Sequence, residues 1–192
     1  MTVNEIVIDT NNLTEGQQKV YDICREYPFL IPRDLEGKID ETYDYSYISL
    51  GIPNGWSKLF FQMCADLKKV LIEEDFLETF YFVDVKEKYN TLRCYPGHFE
   101  TDKISQVLRK YEYLSQFVCT RCGKPATKEI TQGYIESLCD TCWESQRRRY
   151  AFRDVEFDTK FTICTFGRHS GTVTTTIDCS DEWNRYLKSI EV

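Results

Sequence analysis

Four stretches of the chain carry apolar residues at the spacing of an amphipathic helix. They cover residues 14–28, 56–71, 102–114 and 180–190. In each stretch, apolar side chains recur three or four positions apart with polar residues between them, which places the apolar side chains on one helical face. The last stretch begins at Ser180 with acidic residues in its first turn, as a helix N-terminus favours. We therefore predict four amphipathic helices.

Three other parts of the chain are rich in β-branched and aromatic residues, which indicates β-hairpins. Their strands are predicted at residues 80–86 and 92–95, 127–131 and 134–138, and 160–166 and 172–177. Asn90-Thr91 and Gln132-Gly133 are suited to the turns of the first two hairpins. Together these elements predict an α+β fold, with helices packed on a small antiparallel sheet.

The segment of residues 31–54 is irregular, because proline and glycine interrupt it repeatedly. Tyr43, Tyr45 and Tyr47 alternate within this segment. Tyrosine is favoured at protein interfaces, so these side chains could form a recognition surface. They could equally cover the core, where tyrosine is often buried. The sequence leaves both interpretations open.

The pattern with the most specific chemistry is Cys119-x2-Cys122-x16-Cys139-x2-Cys142. Two thiolates separated by two residues reach the same ion from one tight turn, and two such pairs complete the sulfur tetrahedron that structural zinc prefers. We predict that all four cysteines bind one zinc ion. Buried thiols or two disulfides are the less favoured alternative.

The residues around the cysteines predict the fold of this zinc module. Gly123 follows the first pair, where the backbone must bend and a positive φ helps. The second hairpin lies between the pairs, and residues 143–150 lack glycine and proline and suit a helix. The tight turn that carries the first cysteine pair, which we call the knuckle, is followed by the hairpin and the helix. This order makes a treble-clef-like module. Because four sulfurs close the coordination shell, zinc is expected to hold the fold and not to activate water.

The other cysteines and the N-terminus indicate a cytoplasmic protein. The remaining cysteines are predicted to be reduced, buried thiols: Cys24, Cys64, Cys94, Cys164 and Cys179. Residues 1–5 lack the basic and apolar regions of a signal peptide. No stretch approaches the roughly 20 apolar residues that span a bilayer, so we expect no membrane binding.

The net charge of −7 is concentrated near the N-terminus. Residues 1–50 hold ten acidic and four basic side chains, and the rest of the chain carries one net negative charge. Acidity disfavours general binding to a nucleic-acid backbone and favours a basic protein surface as partner. Acidic residues that only keep the protein soluble are an equally weighted alternative.

With 192 residues, the chain can form one core with a satellite module. We divide it into an acidic α+β region at residues 1–117, the zinc module at 118–150, and a hairpin with a terminal helix at 151–192. The third part is expected to pack on the same core as the first.

Patterns typical of catalysis are missing from the sequence. The chain has two histidines, His98 and His169, and neither lies within the zinc module, where a zinc-dependent nuclease would need them. Cys164 is near His169 in sequence, but it lacks the surroundings of a catalytic cysteine. No phosphate-binding glycine motif and no nucleophile elbow is found. We predict that the protein is not an enzyme.

Arg147-Arg148-Arg149 is the strongest candidate for contact with nucleic acid, because guanidinium groups bind phosphates. Basic residues near the end of a helix also interact favourably with its dipole and can pair with acidic side chains. We favour the structural or protein-pairing role. A regulatory protein that binds nucleic acid through Arg147 to Arg149 is the alternative function.

Three motifs together resemble a family of small phage and prophage zinc-binding proteins. They are Gly55-Trp56, Val85-Lys86-Glu87-Lys88-Tyr89-Asn90-Thr91-Leu92-Arg93-Cys94-Tyr95, and the cysteine pairs within Cys-x2-Cys-Gly and Leu-Cys-x2-Cys. The resemblance covers roughly residues 55–142. The family has glycine where this chain has Asn90, and asparagine is the next best residue at positive φ. It has phenylalanine where this chain has Tyr89 and Cys94.

A small, acidic phage protein of this kind is similar to the zinc-containing anti-CRISPR proteins that inhibit type II-A systems. The resemblance implies that the partner is the type II CRISPR effector nuclease in the cytoplasm of the bacterial host. This nuclease holds its guide–target duplex in a positively charged channel. An acidic inhibitor is expected to bind that surface and to block the loading of target DNA without binding nucleic acid itself.

Overall fold

The computed structural model of the chain describes residues 13–34, 36–39, 43–45, 48, 50–97, 100–146, 150–167 and 171–191. Within these residues the fold is α+β, as predicted, with five α-helices and seven β-strands. The helices are α1 (Glu15–Glu26), α2 (Ser57–Glu73), α3 (Asp102–Ser115), α4 (Asp140–Glu144) and α5 (Ser180–Ile190). The strands are β1 (Phe82–Lys88), β2 (Thr91–Pro96), β3 (Lys128–Ile130), β4 (Ser137–Leu138), β5 (Phe152–Asp154), β6 (Lys160–Gly167) and β7 (Gly171–Asp178).

The strands are distributed over small, separate sheets. β1 pairs with β2, β6 pairs with β7, and a third sheet has the order β4-β3-β5. The chain also divides into two compact units. The first unit contains residues 1–51, 64–86 and 93–105, and the second contains residues 52–63, 87–92 and 106–192. The helices α2 and α3 and the β1–β2 hairpin contribute residues to both units.

In the first unit, α1 begins at a capping box. Gln17 N donates to Thr14 Oγ1 at 3.3 Å, and Thr14 N donates to Gln17 Oε1 at 3.0 Å, which satisfies two amides that the helix leaves free. The inner side of α1 packs on Tyr43 and Tyr45, which are only 8% and 3% exposed. These two tyrosines therefore belong to the core, and their interpretation as a recognition surface is wrong. Tyr47 lies outside the described residues.

The long helix α2 has the broad apolar face that its sequence predicts. Six of its side chains are completely buried: Leu59, Phe60, Met63, Cys64, Leu67 and Leu71. A short 3-10 turn, Asn54–Trp56, precedes the helix and buries Trp56 completely. Burial of a large apolar side chain contributes about 1.5–3 kcal/mol to folding, so α2 is a main element of the core.

Two hairpins were predicted close to their observed positions. The turn of the first lies at Tyr89 and Asn90, one residue earlier than expected, and both residues have positive φ, at 54° and 60°. A two-residue turn with two positive φ angles suits the twist of the flanking strands. In the third hairpin, β6 and β7 pair from Lys160 with Asp178 to Gly167 with Gly171.

The predicted helix whose start carries the second cysteine pair is present, but it begins earlier and ends sooner than the expected run of residues 143–150. The observed helix α4 starts at Asp140 and ends at Glu144, so the second cysteine pair lies at its beginning. Ser145 Oγ donates to Cys142 O at 2.8 Å, and such side-chain bonds to the backbone compete with continued helix formation. Arg147 to Arg149 lie outside the described residues. Strand β5 was not predicted at all.

The five cysteines outside the zinc motif do not all share one environment. Cys24, Cys64 and Cys179 are buried, as predicted. Cys94 is half-buried and Cys164 is exposed, so the prediction of burial is wrong for Cys164. The reason is that β6 and β7 form a two-stranded ribbon, in which alternate side chains face solvent. None of the helices in the described ranges is long and apolar enough to cross a membrane.

Candidate metal centre

Four cysteine thiols meet at one point in the second unit. The Sγ atoms of Cys119, Cys122, Cys139 and Cys142 all lie within 4.8 Å of one another, and Cys122 Sγ is 3.5 Å from Cys139 Sγ. All four cysteines are free thiols and form no disulfide. In a tetrahedral site with metal–sulfur bonds of about 2.3 Å, the sulfurs are about 3.8 Å apart. The cluster therefore has the dimensions of a four-sulfur metal site.

The first pair of cysteines lies on a tight knuckle. Cys119 N donates to Lys124 O at 2.8 Å, and Gly123 N donates to Cys119 O at 3.0 Å. Gly123 has a φ of 78°, as predicted from its place after the pair. The turn brings the side chains of Cys119 and Cys122 to the same side, where one ion can bind both.

The second pair lies at the start of α4. Cys139 is the N-cap residue, and Trp143 N donates to its carbonyl at 2.8 Å. Thr127 Oγ1 donates to Asp140 Oδ1 at 2.7 Å, which ties the helix start to the segment leading into β3. The β3–β4 hairpin between the pairs brings the knuckle and the helix together, which completes the treble-clef-like order.

The cluster has a buried side and an open side. Cys119 and Cys139 are buried together with Ile130 and Leu138, whereas Cys122 is exposed. Trp143 and Cys142 are half-buried against the same group. An apolar wall of this kind limits the access of water to the ligands.

The protonation of the thiols reflects their crowding. Burial raises the pKa of Cys119, but backbone hydrogen bonds from Cys139, Cys122 and Arg121 outweigh it, and the pKa is lowered overall. Burial and the neighbouring thiols raise the pKa of Cys142. The chain thus stabilises one thiolate through its amides, and a bound cation would supply the charge that stabilises the others.

The Gly55-Trp56 motif supports the first knuckle. Gly55 N donates to Thr120 O at 2.9 Å, and Trp56 Nε1 donates to Val118 O at 3.1 Å. A Cβ atom on Gly55 would lie 2.1 Å from the carbonyl oxygen of Cys119. The close approach requires glycine, and the motif therefore positions a predicted metal ligand.

A buried polar network joins the turn of the β1–β2 hairpin to the module. Asn90 Nδ2 donates to Ser137 Oγ at 2.7 Å and to Glu129 Oε1 at 3.2 Å, and Ser137 N donates to Asn90 Oδ1 at 3.1 Å. Asn90, Glu129 and Ser137 are 1%, 9% and 0% exposed. Arg153 pairs with the other oxygen of Glu129. The spacing of the cysteines does not predict this network. The hairpin motif, which contains Asn90, is the one sequence feature that pointed to this part of the chain.

Two further contacts hold the knuckle from other directions. Arg121 binds Glu136 through Nε and Nη2, each at 3.1 Å, so the pair is bidentate. The hydroxyl of Tyr186, a fully buried residue of α5, donates to Gly123 O at 2.5 Å. The terminal helix therefore contacts the metal module directly, a role that its apolar pattern did not predict.

Of the other candidates that the sequence offers, the structure describes only Cys164. His98, His169 and Arg147 to Arg149 lie outside the described residues. Cys164 is exposed on β6. Over the part of the chain that the structure describes, the four-cysteine cluster is the one group of three or more side chains that could hold a metal ion.

Comparison with known proteins finds no matching family model, no matching curated protein and no matching solved structure. The candidate site is therefore defined from this structure alone, by the four-sulfur cluster, its supporting contacts and the α+β fold that positions them.

Proposed function

We propose that this chain is a zinc-stabilised protein that acts by binding another protein and not by catalysis. The geometry of the cysteine cluster carries the proposal. Four sulfur donors within 4.8 Å complete a tetrahedral shell by themselves, which leaves no position for a substrate or an activated water. Thiolate ligands in tetrahedral arrangement favour zinc. The ion would supply folding energy to the module.

The partner that we propose is the RNA-guided nuclease of type II-A CRISPR systems. The resemblance of residues 55–142 to phage zinc-binding proteins supports this choice, and so does the charge of residues 1–50. The acidic residues of that segment that the structure describes are all exposed: Glu15, Asp22, Glu26, Asp34, Glu36 and Asp44. Exposed carboxylates can interact with the basic channel of the nuclease. Occupation of that channel would prevent the loading of target DNA.

An order-of-addition experiment tests the proposal. The purified protein is added to the nuclease–guide complex either before or after target DNA, and cleavage is measured. We expect co-elution with the nuclease in size-exclusion chromatography and inhibition only when the protein is added first. Inhibition in both orders would contradict blocked loading but not binding.

A gel shift with plain duplex DNA provides the control. We expect no shift, because the chain is acidic. A shift with DNA and no complex with the nuclease would reject the proposal in favour of nucleic-acid binding. The Arg147 to Arg149 cluster would then be the first place to mutate.

A further inference from the structure

A cavity of about 270 Å³ opens beside β1 in the first unit, far along the chain from the cysteine pairs. Apolar side chains contribute to its walls beside polar backbone, and they include Phe29, Leu30, Leu50, Phe82, Val83 and Val85. Two charged residues, Arg33 and Asp84, also line it. Apolar walls with a few placed charges are typical of sites for small molecules.

Arg33 is held at the wall of this cavity by three contacts. Its Nη1 donates to Gly37 O at 3.2 Å, and its Nη2 donates to Glu78 O at 3.4 Å. The guanidinium carbon lies 5.5 Å from the centre of the Tyr81 ring, within the range of a cation–π contact. The orientation of the guanidinium is therefore set before any ligand binds.

These contacts leave the guanidinium incompletely satisfied. It has five N–H donors, and among the described residues two of them are used, in long bonds to neutral carbonyls. Its Nε is buried without a hydrogen-bond partner. Arg33 forms no ion pair with any carboxylate in the described ranges. Burial lowers the pKa of Arg33 because it penalises the charged form, and a charge in this position favours an anionic partner.

Asp84 does not neutralise Arg33, although both line the cavity. The carboxylate of Asp84 pairs with Lys86, its neighbour two positions along β1. Within the described ranges Arg33 thus has no ion-pair partner, and the carboxylate of Glu78 favours its charged form only from beyond ion-pair distance. A single positive charge beside apolar walls suits a monoanion better than a phosphate dianion, which the nearby carboxylate of Asp84 would repel.

We propose that this cavity binds a small organic carboxylate with an apolar body. The carboxylate accepts hydrogen bonds from the Arg33 guanidinium, whose planar fork matches the two oxygens. The apolar body packs against the walls that Phe29 and Phe82 supply. The same chemistry is offered by a free aromatic or aliphatic acid and by the C-terminal carboxylate of a peptide that ends in an apolar residue. The proposal is independent of the function of the metal module.

NMR titration of the intact protein tests it, with phenylacetate as the probe. The Nε–Hε signal of Arg33 in a ¹⁵N correlation spectrum should shift and saturate with phenylacetate but not with phenylacetamide, which lacks the charge. A short peptide that ends in phenylalanine, compared with its C-terminal amide, distinguishes a peptide ligand from a free acid. Absence of a saturable shift, or equal shifts with acid and amide, would overturn the proposal.

Substitution provides a second readout. Arg33→Gln should weaken phenylacetate binding at least about tenfold, whereas Arg25→Gln, at an exposed arginine of α1, should leave it unchanged. Circular dichroism checks that both variants fold. If Arg33→Gln does not fold, the titration of the wild-type Nε–Hε signal still tests the proposal. Equal affinity of Arg33→Gln and wild type, or a response to inorganic phosphate alone, would contradict the assigned ligand.

Discussion

At the scale of single residues, backbone geometry decides the identity of Gly55 and Asn90. Gly55 lies where a side chain would collide with the knuckle that carries Cys119. Asn90 combines a positive φ of 60° with a buried side chain that satisfies three polar groups of the metal module. Asparagine can do both, whereas glycine provides only the conformation.

Replacing Gly55 with alanine should destabilise the protein by about 3 kcal/mol, at the upper end for overpacking. The obstructing atom is a backbone oxygen at 2.1 Å, which cannot move aside as a side chain can. Urea unfolding measures the change. Gly16→Ala is the matched control, because its Cβ would meet nothing within 4 Å and helix propensity favours alanine by about 0.5–1 kcal/mol. Equal stabilities of the two variants would contradict the contact.

Replacing Asn90 with glycine should cost about 1–3 kcal/mol, because the buried Glu129 and Ser137 each lose one of their hydrogen-bond partners while the turn keeps its conformation. Asn90→Ala should cost more, since alanine is also strained at a φ of 60°. Tyr89→Asn, at a position that is 72% exposed, should stay within about 0.5 kcal/mol of wild type. If Asn90→Gly unfolds at the same urea concentration as wild type, the network contributes nothing to stability.

At the scale of elements, the metal module consists of pieces too short to be stable alone. Helix α4 has five residues, and β3, β4 and β5 have three, two and three. Isolated helices below about 12 residues are marginal in water, and small sheets need packing to persist. The cysteine cluster lies where these pieces meet, so a bound ion would link all of them.

Metal analysis of the purified protein should find one zinc ion per chain. Cys139→Ser should lower this stoichiometry, whereas Cys164→Ser, at an exposed cysteine of β6, should leave it unchanged. A strong chelator should unfold the module, because zinc contributes about 10–16 kcal/mol in finger peptides. Near-ultraviolet circular dichroism, to which Trp143 contributes, follows this change. A protein that contains no metal and keeps its spectrum with the chelator would contradict a structural zinc.

Some elements could be predicted from local sequence patterns alone. The capping box at Thr14 and the apolar face of α2 act within one helix, and both were predicted near their observed bounds. Strand β5 depends on a partner strand far along the chain. The end of α4 depends on the Ser145 side chain, which competes for a backbone carbonyl. Ile130 pairs with Phe152 across 22 positions, and no local pattern contains that information.

At the scale of the whole molecule, the net negative charge is concentrated in one part of the sequence. Six of the seven net negative charges belong to residues 1–50. Several of the exposed carboxylates have local partners, such as Glu15 with Lys19 at 2.6 Å and Glu26 with Lys68 at 2.8 Å. Exposed ion pairs of this kind contribute little to stability, so these carboxylates can interact with a partner instead.

The proposed complex with the nuclease should therefore weaken as salt rises, because exposed charges are screened within about 8–10 Å at physiological ionic strength. Asp22→Lys should reduce the association rate several-fold. Glu191→Lys makes the same change of charge at an exposed position outside the acidic segment and should have little effect. Surface plasmon resonance measures both. Equal effects of the two substitutions would show that net charge, and not the acidic segment, governs association.

The sequence by itself determined the helices with strong apolar periodicity, the α+β class and the identity of four cysteines that come together. These features follow from short-range spacing, which acts through one helix, one turn or one hairpin. The tertiary structure decided that Tyr43 and Tyr45 are core residues, that Gly55 and Asn90 support the metal module, and that Arg33 lines a cavity with its Nε buried and, among the described residues, unpartnered. Those properties depend on which distant residues become neighbours, because burial, close approach and the satisfaction of polar groups exist only once the chain has folded.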